Sequence, residues 1–317
     1  MTDKYRLVTR SDFDGLVCAV LMHHLDMIDD IKFVHPKDMQ DGKVETTGRD
    51  ITTNLPYVPN VHLCIDHHES ETLRNERASN HVIDPTAPSA ARVVWRCFGG
   101  HDKFPASWDD MLDAVDKADA ARYTIDEILR PGKWELLNFV MDPRTGLGRF
   151  QDFKISNYDL MMKLVEDCGR LSIDDIMEQP DVAERVALYY EHADLSRDQI
   201  LRCSSVHDHV VLLDLTAEET IYAANRFYIY ALFPQCNVSI HKIWGFKRQN
   251  MVFAVGKSII DRGARVNIGE LMLEYGGGGH TAAGTCQVPI EDSDRVQAEL
   301  LARITGNRAF APAGGQA

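Results

Sequence analysis

The chain has 317 residues, of which 44% are hydrophobic, so two compact domains with sizeable cores are expected. It carries 34 lysines and arginines against 48 aspartates and glutamates, which gives a formal net charge of -14. Because non-specific affinity for duplex DNA comes from basic residues that neutralise phosphates, this charge disfavours a duplex-binding surface. The seven scattered cysteines lack CxxC spacing and indicate reduced thiols in the cytoplasm. No stretch approaches 18 uncharged apolar residues, so no membrane partner is expected.

The first half of the chain alternates short apolar runs with helical patterns. The expected strands cover 5–9, 31–35, 61–65 and 81–83, and the expected helices follow Gly15 and cover 90–98 and 108–123. This alternation predicts an α/β fold with a mostly parallel sheet flanked by helices. In such sheets, ligands bind beyond the carboxyl ends of the strands.

The second half begins with a long, charged helical pattern over 182–203, which we interpret as a connector between two domains. Beyond it, runs at 210–215, 238–244 and 251–255 predict the strands of a smaller C-terminal α/β domain. Aromatic residues at Phe227, Tyr228 and Tyr230 also lie in a strand-like run and are interpreted as core. The predicted divisions are an N-terminal domain over 1–185, a helical connector over 186–205, a C-terminal domain over 206–310 and a disordered tail over 311–317.

Two polar motifs each follow a strand-like run. The first is Asp12-Phe13-Asp14-Gly15 and the second is Cys64-Ile65-Asp66-His67-His68. Taken alone, the first motif also suits a simple helix cap followed by a turn glycine. Because both motifs follow strands of a parallel sheet, their side chains are expected to converge on one crevice. Many carboxylates with few imidazoles favour Mn²⁺ or Mg²⁺ over Zn²⁺.

A third motif is the run of four glycines that ends in His280 and follows a helical pattern over 267–275. Consecutive exposed backbone N–H groups form an anion-binding nest, and glycine tolerates the backbone angles that such a loop needs. The alternative is a flexible linker. Linkers more often mix glycine with serine, so the sequence favours an anion-binding loop.

In this order, the motifs resemble those of the DHH phosphoesterase family with its associated C-terminal substrate domain. The matching features are the aspartate pair with Gly15, then Asp50, the Asp-His-His triplet, a later aspartate and the Gly-Gly-Gly-His run. They span the chain from Val8 to Gly284. The segments 50–56 and 284–288 look like the exopolyphosphatase-related or oligonucleotide phosphodiesterase-like branch of the family.

The resemblance implies a catalytic DHH domain over 1–185 and a substrate-binding domain over 206–310. It also implies two Mn²⁺ ions, with Mg²⁺ as the alternative, and a hydroxide activated by both metals. The implied catalytic residues are Asp66, His67 and His68, and the implied metal ligands are Asp12, Asp14, Asp50, Asp66, His67 and Asp119. The candidate substrate-binding residues are His68, Gly277, Gly278, Gly279, His280, Arg262, Arg265 and Arg10, and Arg144 and Arg149 are weaker candidates.

Two positions in this pattern leave alternatives open. The fourth-motif aspartate is either Asp116 or Asp119, and helical periodicity favours Asp119 because it falls at the edge of the apolar face. The family commonly has a histidine shortly before the first aspartates, where this chain has Val8, Thr9 and Arg10. Either one metal binds more weakly for lack of an imidazole, or Arg10 replaces it by contacting the substrate.

The predicted function is a Mn²⁺-dependent phosphoesterase that hydrolyses phosphoanhydride or phosphodiester bonds in a small or single-stranded substrate. Inorganic polyphosphate, a short oligonucleotide and a nucleotide such as a 3′,5′-bisphosphate all fit this class. The alternative is a non-catalytic nucleotide-binding or sensing protein that has kept the fold. So many converging carboxylates argue against that alternative, since they would repel one another without a metal. The oligomeric state is left open, with a homodimer as one option.

Overall fold

A computed structural model describes residues 4–306 except 75 and 77, so the predicted tail over 311–317 lies outside the described residues. The described chain divides into two compact units, which confirms the α/β class predicted from the sequence. The first unit runs to Tyr123 and resumes over Pro131–Tyr189, and the second takes Thr124–Arg130 and continues from Tyr190. The functional domain boundaries proposed from the sequence stay predictions.

The first unit is built on a five-stranded parallel sheet with strand order β2-β1-β3-β4-β5. The strands are β1 Tyr5–Arg10, β2 Ile28–Val34, β3 Asp50–Thr53, β4 Leu63–Asp66 and β5 His81–Ile83. Strand β3 lies at the centre of the sheet although the sequence analysis predicts no strand there. It is short and largely polar, so no apolar run marks it, yet all four of its residues are buried.

The described chain also contains short 3₁₀ turns and thirteen α-helices. They are α1 Phe13–His24, α2 Pro36–Gln40, α3 Glu69–Arg74, α4 Ala90–Cys97, α5 Asp109–Asp119, α6 Ile125–Leu129, α7 Lys133–Met141, α8 Asn157–Arg170, α9 Ile173–Glu178, α10 Pro180–Cys203, α11 Tyr228–Leu232, α12 Ile268–Leu273 and α13 Ser293–Thr305. Helix α1 packs against α4, α5 and α8 and is buried from Phe13 to Met22, as expected for a helix that is apolar all round. Among the described residues, no helix has the length and apolar character needed to cross a membrane.

The direction of the strands decides where polar side chains collect in the first unit. Because all five strands run the same way, their carboxyl ends lie at one edge of the sheet. Asp12 lies two residues beyond β1, Asn54 directly follows β3, and His67 directly follows β4. Asp84 follows β5 at the same edge. The fold therefore gathers residues that are far apart in sequence.

The second unit contains a six-stranded mixed sheet with strand order β10-β11-β9-β8-β7-β6. Its strands are β6 Ser204–His207, β7 Val210–Asp214, β8 Val238–Trp244, β9 Met251–Lys257, β10 Gly278–His280 and β11 Ala283–Val288. Among the described strands of this sheet, β7 and β8 pair in parallel and all other neighbours pair antiparallel. One face of the sheet packs on α12 and α13, in a core that includes Val210, Ile240, Phe253, Ile268 and Leu300.

The aromatic run near residue 230 is helical, so its prediction as a strand is wrong. Tyr228 begins helix α11, and Phe227 and Tyr230 are buried. The Tyr230 hydroxyl lies 2.8 Å from Ser239 Oγ. Alternation of apolar residues over so short a run fits either structure, and packing decides between them. The interpretation of Phe227 and Tyr230 as core residues agrees with their burial.

Candidate metal centre

His67 lies in a carboxylate cluster at the carboxyl edge of the first sheet. Its Nε2 is 3.0 Å from Asp119 Oδ2 and 3.9 Å from Asp14 Oδ2. Its Nδ1 is 3.2 Å from the Ala87 carbonyl oxygen, so the neutral ring holds its proton on Nδ1 and leaves Nε2 for a ligand. Within the described part of the chain, the buried Nε2 makes no hydrogen bond of good geometry. A ring nitrogen between two carboxylates takes up either a second proton or a cation, and the two carboxylates complete the ligand set of a cation.

Asp14, the second residue of α1, is 2% exposed. Its carboxylate accepts hydrogen bonds from the backbone N–H groups of Ala90 (2.9 Å) and Ala91 (2.8 Å), at the start of α4. Burial raises the pKa of Asp14 to about 8, the nearby Asp119 adds to the rise, and His67 opposes it. A bound cation would offset this cost by stabilising the charged carboxylate.

The last residue of α5, Asp119, reaches the same cluster. Burial alone would raise the pKa of Asp119, but the contact with His67 outweighs burial and lowers it. Burial likewise lowers the pKa of His67, but Asp119 and Asp14 outweigh burial and raise it to about 9. Asp116 instead accepts hydrogen bonds from Ser89 Oγ (2.6 Å) and Arg92 Nε (2.7 Å). The structure thus brings Asp119 to His67 and holds Asp116 elsewhere.

The last residue of β4, Asp66, is fully buried. Its Oδ1 lies 2.8 Å from His68 Nδ1, and its Oδ2 has no hydrogen-bond partner among the residues that the structure describes. Burial lowers the pKa of His68, but Asp66 outweighs burial and raises it. The His68 side chain is 40% exposed. Asp66 therefore orients a solvent-accessible imidazole while keeping one oxygen for another ligand.

Asp12 caps helix α1 and has partners on both carboxylate oxygens. Its Oδ2 lies 2.8 Å from Nε of Arg10, the last residue of β1. Its Oδ1 accepts hydrogen bonds from Gly15 N–H (3.0 Å) and from Asn54 Nδ2 (3.1 Å). Burial raises the pKa of Asp12, and Arg10 opposes that rise.

The sequence analysis missed Asn54. This residue follows β3 just as His67 follows β4, its φ angle is 54°, and it is 1% exposed. Its Oδ1 is buried and has no hydrogen-bond partner within the described ranges, so it is a further candidate ligand for a divalent cation. The position was overlooked because the central strand before it was not predicted.

Asp50 is not brought to this centre, contrary to its prediction as a bridging ligand. It is the first residue of β3, so it lies at the amino edge of the sheet, about 10 Å along the strand from the carboxyl edge. Its Oδ1 is 2.7 Å from Arg6 Nε, and its Oδ2 accepts a hydrogen bond from Thr47 N–H at 2.6 Å. The Asp50 carboxylate is therefore already satisfied by the fold.

We expect Asp50→Asn to lower the free energy of unfolding by about 1–3 kcal/mol at pH 7, because it breaks a part-buried, hydrogen-bonded ion pair. Burial raises the pKa of Asp50, but Arg6 and Thr47 outweigh burial and lower it. The pair therefore stabilises the fold above the unfolded pKa of about 4, and this stability is lost as the pH falls through the folded pKa. Urea unfolding at several pH values measures the effect. The affinity for Mn²⁺ should change less than twofold. A tenfold loss of affinity would instead show that Asp50 is a metal ligand, as first predicted.

The glycine run in the second unit is only partly the loop predicted from the sequence. The N–H groups of Gly276 (3.0 Å) and Gly277 (2.9 Å) donate to carbonyls at the end of α12. Gly278–His280 then pairs with β11 as an edge strand. A Cβ on Gly277 would lie 2.0 Å from the Thr285 carbonyl oxygen, so close backbone approach requires glycine there. A nest of consecutive free N–H groups is therefore not formed over the whole run.

The predicted arginines differ in their surroundings. Arg262 and Arg265 are exposed in the second unit, and Arg265 lines a cavity of about 620 Å³. In the first unit, Arg144 Nε donates to Asp142 Oδ1 at 2.8 Å. Burial lowers the pKa of Arg144, but Asp142 outweighs burial and raises it, with Asp12 and Asp119 contributing. Arg149 lies over the Phe150 ring at 5.8 Å.

The second sheet carries two histidines on the face opposite α12 and α13. Strand register places His241 in one row with Ala254 and Thr285, and His280 in the neighbouring row with Ala283. Ala254 is half-buried and Thr285 is exposed, so His241, itself half-buried, has small neighbours on this face. Burial lowers the pKa of His241 to about 4. The ring is therefore neutral at pH 7 and offers one hydrogen-bond donor and one acceptor. The sequence analysis missed His241 because it lies inside an apolar strand.

Comparison with known proteins identifies relatives among solved structures. The chain is 62% identical to the pGpG-specific phosphodiesterase PggH from Vibrio cholerae, with a TM-score of 0.88 over 96% of this chain and 100% of that one. It shares its fold with RecJ in complex with Mn²⁺ from Thermus thermophilus, at 14% identity and a TM-score of 0.51, over 95% of this chain and 52% of that one. CDC45 from Entamoeba histolytica matches over 95% of each chain, at 9% identity and a TM-score of 0.53.

No protein-family model and no curated protein sequence matches the chain. The two distant structural matches show the fold alone, whereas identity of 62% over the full length of PggH shows common family membership. The ordered motifs that end in Asp66-His67-His68 agree with that relationship. The chain belongs to the DHH phosphoesterase family.

Proposed function

We propose that this protein is a divalent-metal-dependent phosphodiesterase that cleaves short linear oligonucleotides, with pGpG as its leading substrate. The proposal rests on the convergence of Asp14, His67 and Asp119 around a ring nitrogen that makes no hydrogen bond of good geometry in the described chain. The substrate class is supported by similarity to a phosphodiesterase described as pGpG-specific. We propose Mn²⁺ as the metal, with Mg²⁺ as the alternative, because most of the candidate ligand atoms are carboxylate oxygens.

The chemistry proposed for the centre follows from the positions of its side chains. A bound divalent ion would make water a nucleophile near neutral pH and would neutralise charge on the phosphate. Asp14, His67 and Asp119 would hold that ion. Asp66 holds His68 through Nδ1, so a protonated His68 can donate from Nε2 to a phosphate oxygen.

In the second unit, we propose that His280 and the exposed edge of the glycine run bind a phosphate of the substrate. We assign Arg262 and Arg265 a supporting role, because guanidinium groups suit phosphate oxygens. His241 favours a nucleotide over polyphosphate. A neutral imidazole offers a donor and an acceptor to the edge of a base, whereas polyphosphate presents only anionic oxygens.

The test is a substrate panel with the purified full chain, comparing pGpG, pApA, adenosine 3′,5′-bisphosphate and inorganic polyphosphate with Mn²⁺ or with EDTA. We expect kcat/KM for pGpG to exceed that for polyphosphate by at least 100-fold, and EDTA to abolish turnover. Preferred hydrolysis of polyphosphate would contradict the proposal. Binding of pGpG without cleavage in either Mn²⁺ or Mg²⁺ would favour the nucleotide-sensing alternative.

A variant of His241 separates base recognition from phosphate chemistry in the same assay. We expect His241→Ala to lower kcat/KM for pGpG at least tenfold more than for bis(p-nitrophenyl) phosphate, which has no nucleobase. His241→Gln, which keeps a donor and an acceptor, should recover part of the loss.

The seven cysteines are unpaired thiols, which supports our proposal that the enzyme works in the cytoplasm.

A further inference from the structure

We infer that Arg10 couples phosphate binding to metal binding at Asp12, so that the two predicted metal positions have unequal affinities. This inference rests on the proposed function, since it assigns Arg10 a role toward the phosphate of that substrate. The first position is formed by Asp14, His67 and Asp119. The second position involves Asp12, whose carboxylate is paired with Arg10.

The Asp12 carboxylate is fully engaged. Arg10 Nε contacts its Oδ2 at 2.8 Å, while Gly15 N–H and Asn54 Nδ2 donate to its Oδ1. A metal ion can take Oδ2 only if Arg10 moves away, because a guanidinium and a divalent cation cannot share that oxygen without strong repulsion. Arg10 therefore competes with a metal ion at this position.

The Asp14 position has no such competitor in the described chain. His67 Nε2 faces Asp14 and Asp119 without a hydrogen bond of good geometry, and no arginine or lysine is paired with Asp14 or Asp119 among the described ion pairs. Only an exchangeable proton on His67 competes with a cation there, and no permanently charged side chain has to move. This position should bind the first ion, and it should do so with or without substrate.

Arg10 is accessible enough to exchange its contact with Asp12 for a contact with a phosphate. The Arg10 side chain is 32% exposed and the Asp12 side chain is 20% exposed, so a phosphate in solution can reach the guanidinium. Guanidinium groups bind phosphate oxygens in a bidentate manner. Once Arg10 turns to a phosphate, Asp12 regains a free Oδ2 next to Asn54, whose buried Oδ1 has no hydrogen-bond partner in the described ranges. A cation could then bind at Asp12 without repulsion from the guanidinium.

Thermodynamic linkage makes this coupling reciprocal. If phosphate binding strengthens the second metal site, then the second metal ion must strengthen phosphate binding by the same factor. Couplings between ligand sites commonly amount to about 5- to 150-fold in affinity. We therefore expect a phosphate ligand to tighten the second Mn²⁺ site at least tenfold.

The experiment measures Mn²⁺ binding by equilibrium dialysis and electron paramagnetic resonance, with and without 5′-GMP, which has no internucleotide bond to cleave. Wild type should bind one ion tightly and a second at least tenfold more weakly, and 5′-GMP should lower the Kd of the second ion at least tenfold. Arg10→Gln should bind two ions without 5′-GMP and respond less than twofold to it. The matched variant Arg10→Lys keeps the positive charge beside Asp12 but loses the bidentate fork, so it should keep the weak second site and respond less to 5′-GMP than wild type does.

Three results would overturn the inference: two equal sites in wild type without 5′-GMP, no effect of 5′-GMP on the second Kd, or an unchanged second site in Arg10→Gln. Thermal melts show whether the variants are folded. Because the measurement involves no turnover, it is independent of the test of the proposed function. An enzyme that fails to cleave pGpG refutes the proposed substrate, while the Kd values alone decide the role of Arg10.

Discussion

Replacing Asp66 with asparagine is expected to lower kcat for Mn²⁺-dependent hydrolysis of pGpG by about 10²- to 10³-fold. Asparagine has nearly the same shape but no negative charge. It would weaken the 2.8 Å contact that orients His68 and would remove the charge from the buried Oδ2, which lacks a partner in the described chain. Both effects act on the proposed chemistry, so we expect kcat to fall more than KM rises.

The matched control for Asp66→Asn is Asp84→Asn. Asp84 follows the neighbouring strand β5 at the same edge of the sheet, and its carboxylate is held by Thr86 Oγ1 (2.6 Å) and Arg96 (2.8 Å). We expect this variant to keep kcat within threefold of wild type. Single-turnover and steady-state rates with saturating Mn²⁺ provide the comparison. Equal rates for wild type and Asp66→Asn would refute the assignment of the catalytic centre.

Local sequence patterns predicted that Asp14 and His67 would come together, and the family resemblance supplied the proposed ligand roles. Asp14 and His67 each follow a strand-like run, and parallel strands share one carboxyl edge, so their meeting could be predicted without knowing the strand order. The family resemblance limited the later aspartate to Asp116 or Asp119, and helical periodicity then favoured Asp119. The prediction succeeded where a residue's position depended on the end of one recognisable strand or on one face of a helix.

The central strand was harder to predict because its sequence does not mark it as a strand. Asp50 and Asn54 flank three residues with no apolar run, and either could serve as an oxygen ligand. The structure pairs β3 in parallel with β1, with Arg6 opposite Asp50 and Thr9 opposite Thr53. Chain direction then puts Asn54 at the carboxyl edge and Asp50 at the amino edge, but this follows only once the segment is known to be a parallel strand, and that pairing depends on contacts far apart in sequence.

The prediction of a free loop for the whole glycine run was wrong for a related reason. Its composition suits a free loop, but Gly278–His280 gains a partner in β11 and becomes an edge strand. That pairing depends on the position of Ala283–Val288 against β9, which the glycine residues themselves do not encode. Phosphate binding by the exposed His280 stays a proposal. Some of the backbone N–H groups predicted to form the anion-binding nest are instead hydrogen-bonded within the fold.

Two aspartates on helix α5 provide the sharpest test of the metal centre, because they lie less than one turn apart and have different partners. We expect Asp119→Asn to raise the Kd for Mn²⁺ by about 10- to 100-fold, since it removes a charge beside His67 Nε2. Asp116→Asn should leave that Kd within twofold of wild type. It should instead lower the free energy of unfolding by about 1–2 kcal/mol, because Arg92 and Ser89 lose a half-buried partner. Isothermal titration with Mn²⁺ and urea unfolding of both variants measure the two effects. The opposite pattern, with Mn²⁺ affinity lost in Asp116→Asn and kept in Asp119→Asn, would refute this centre. The ion would then be bound by Asp116, which contacts Ser89 and Arg92, and not by Asp119, which contacts His67.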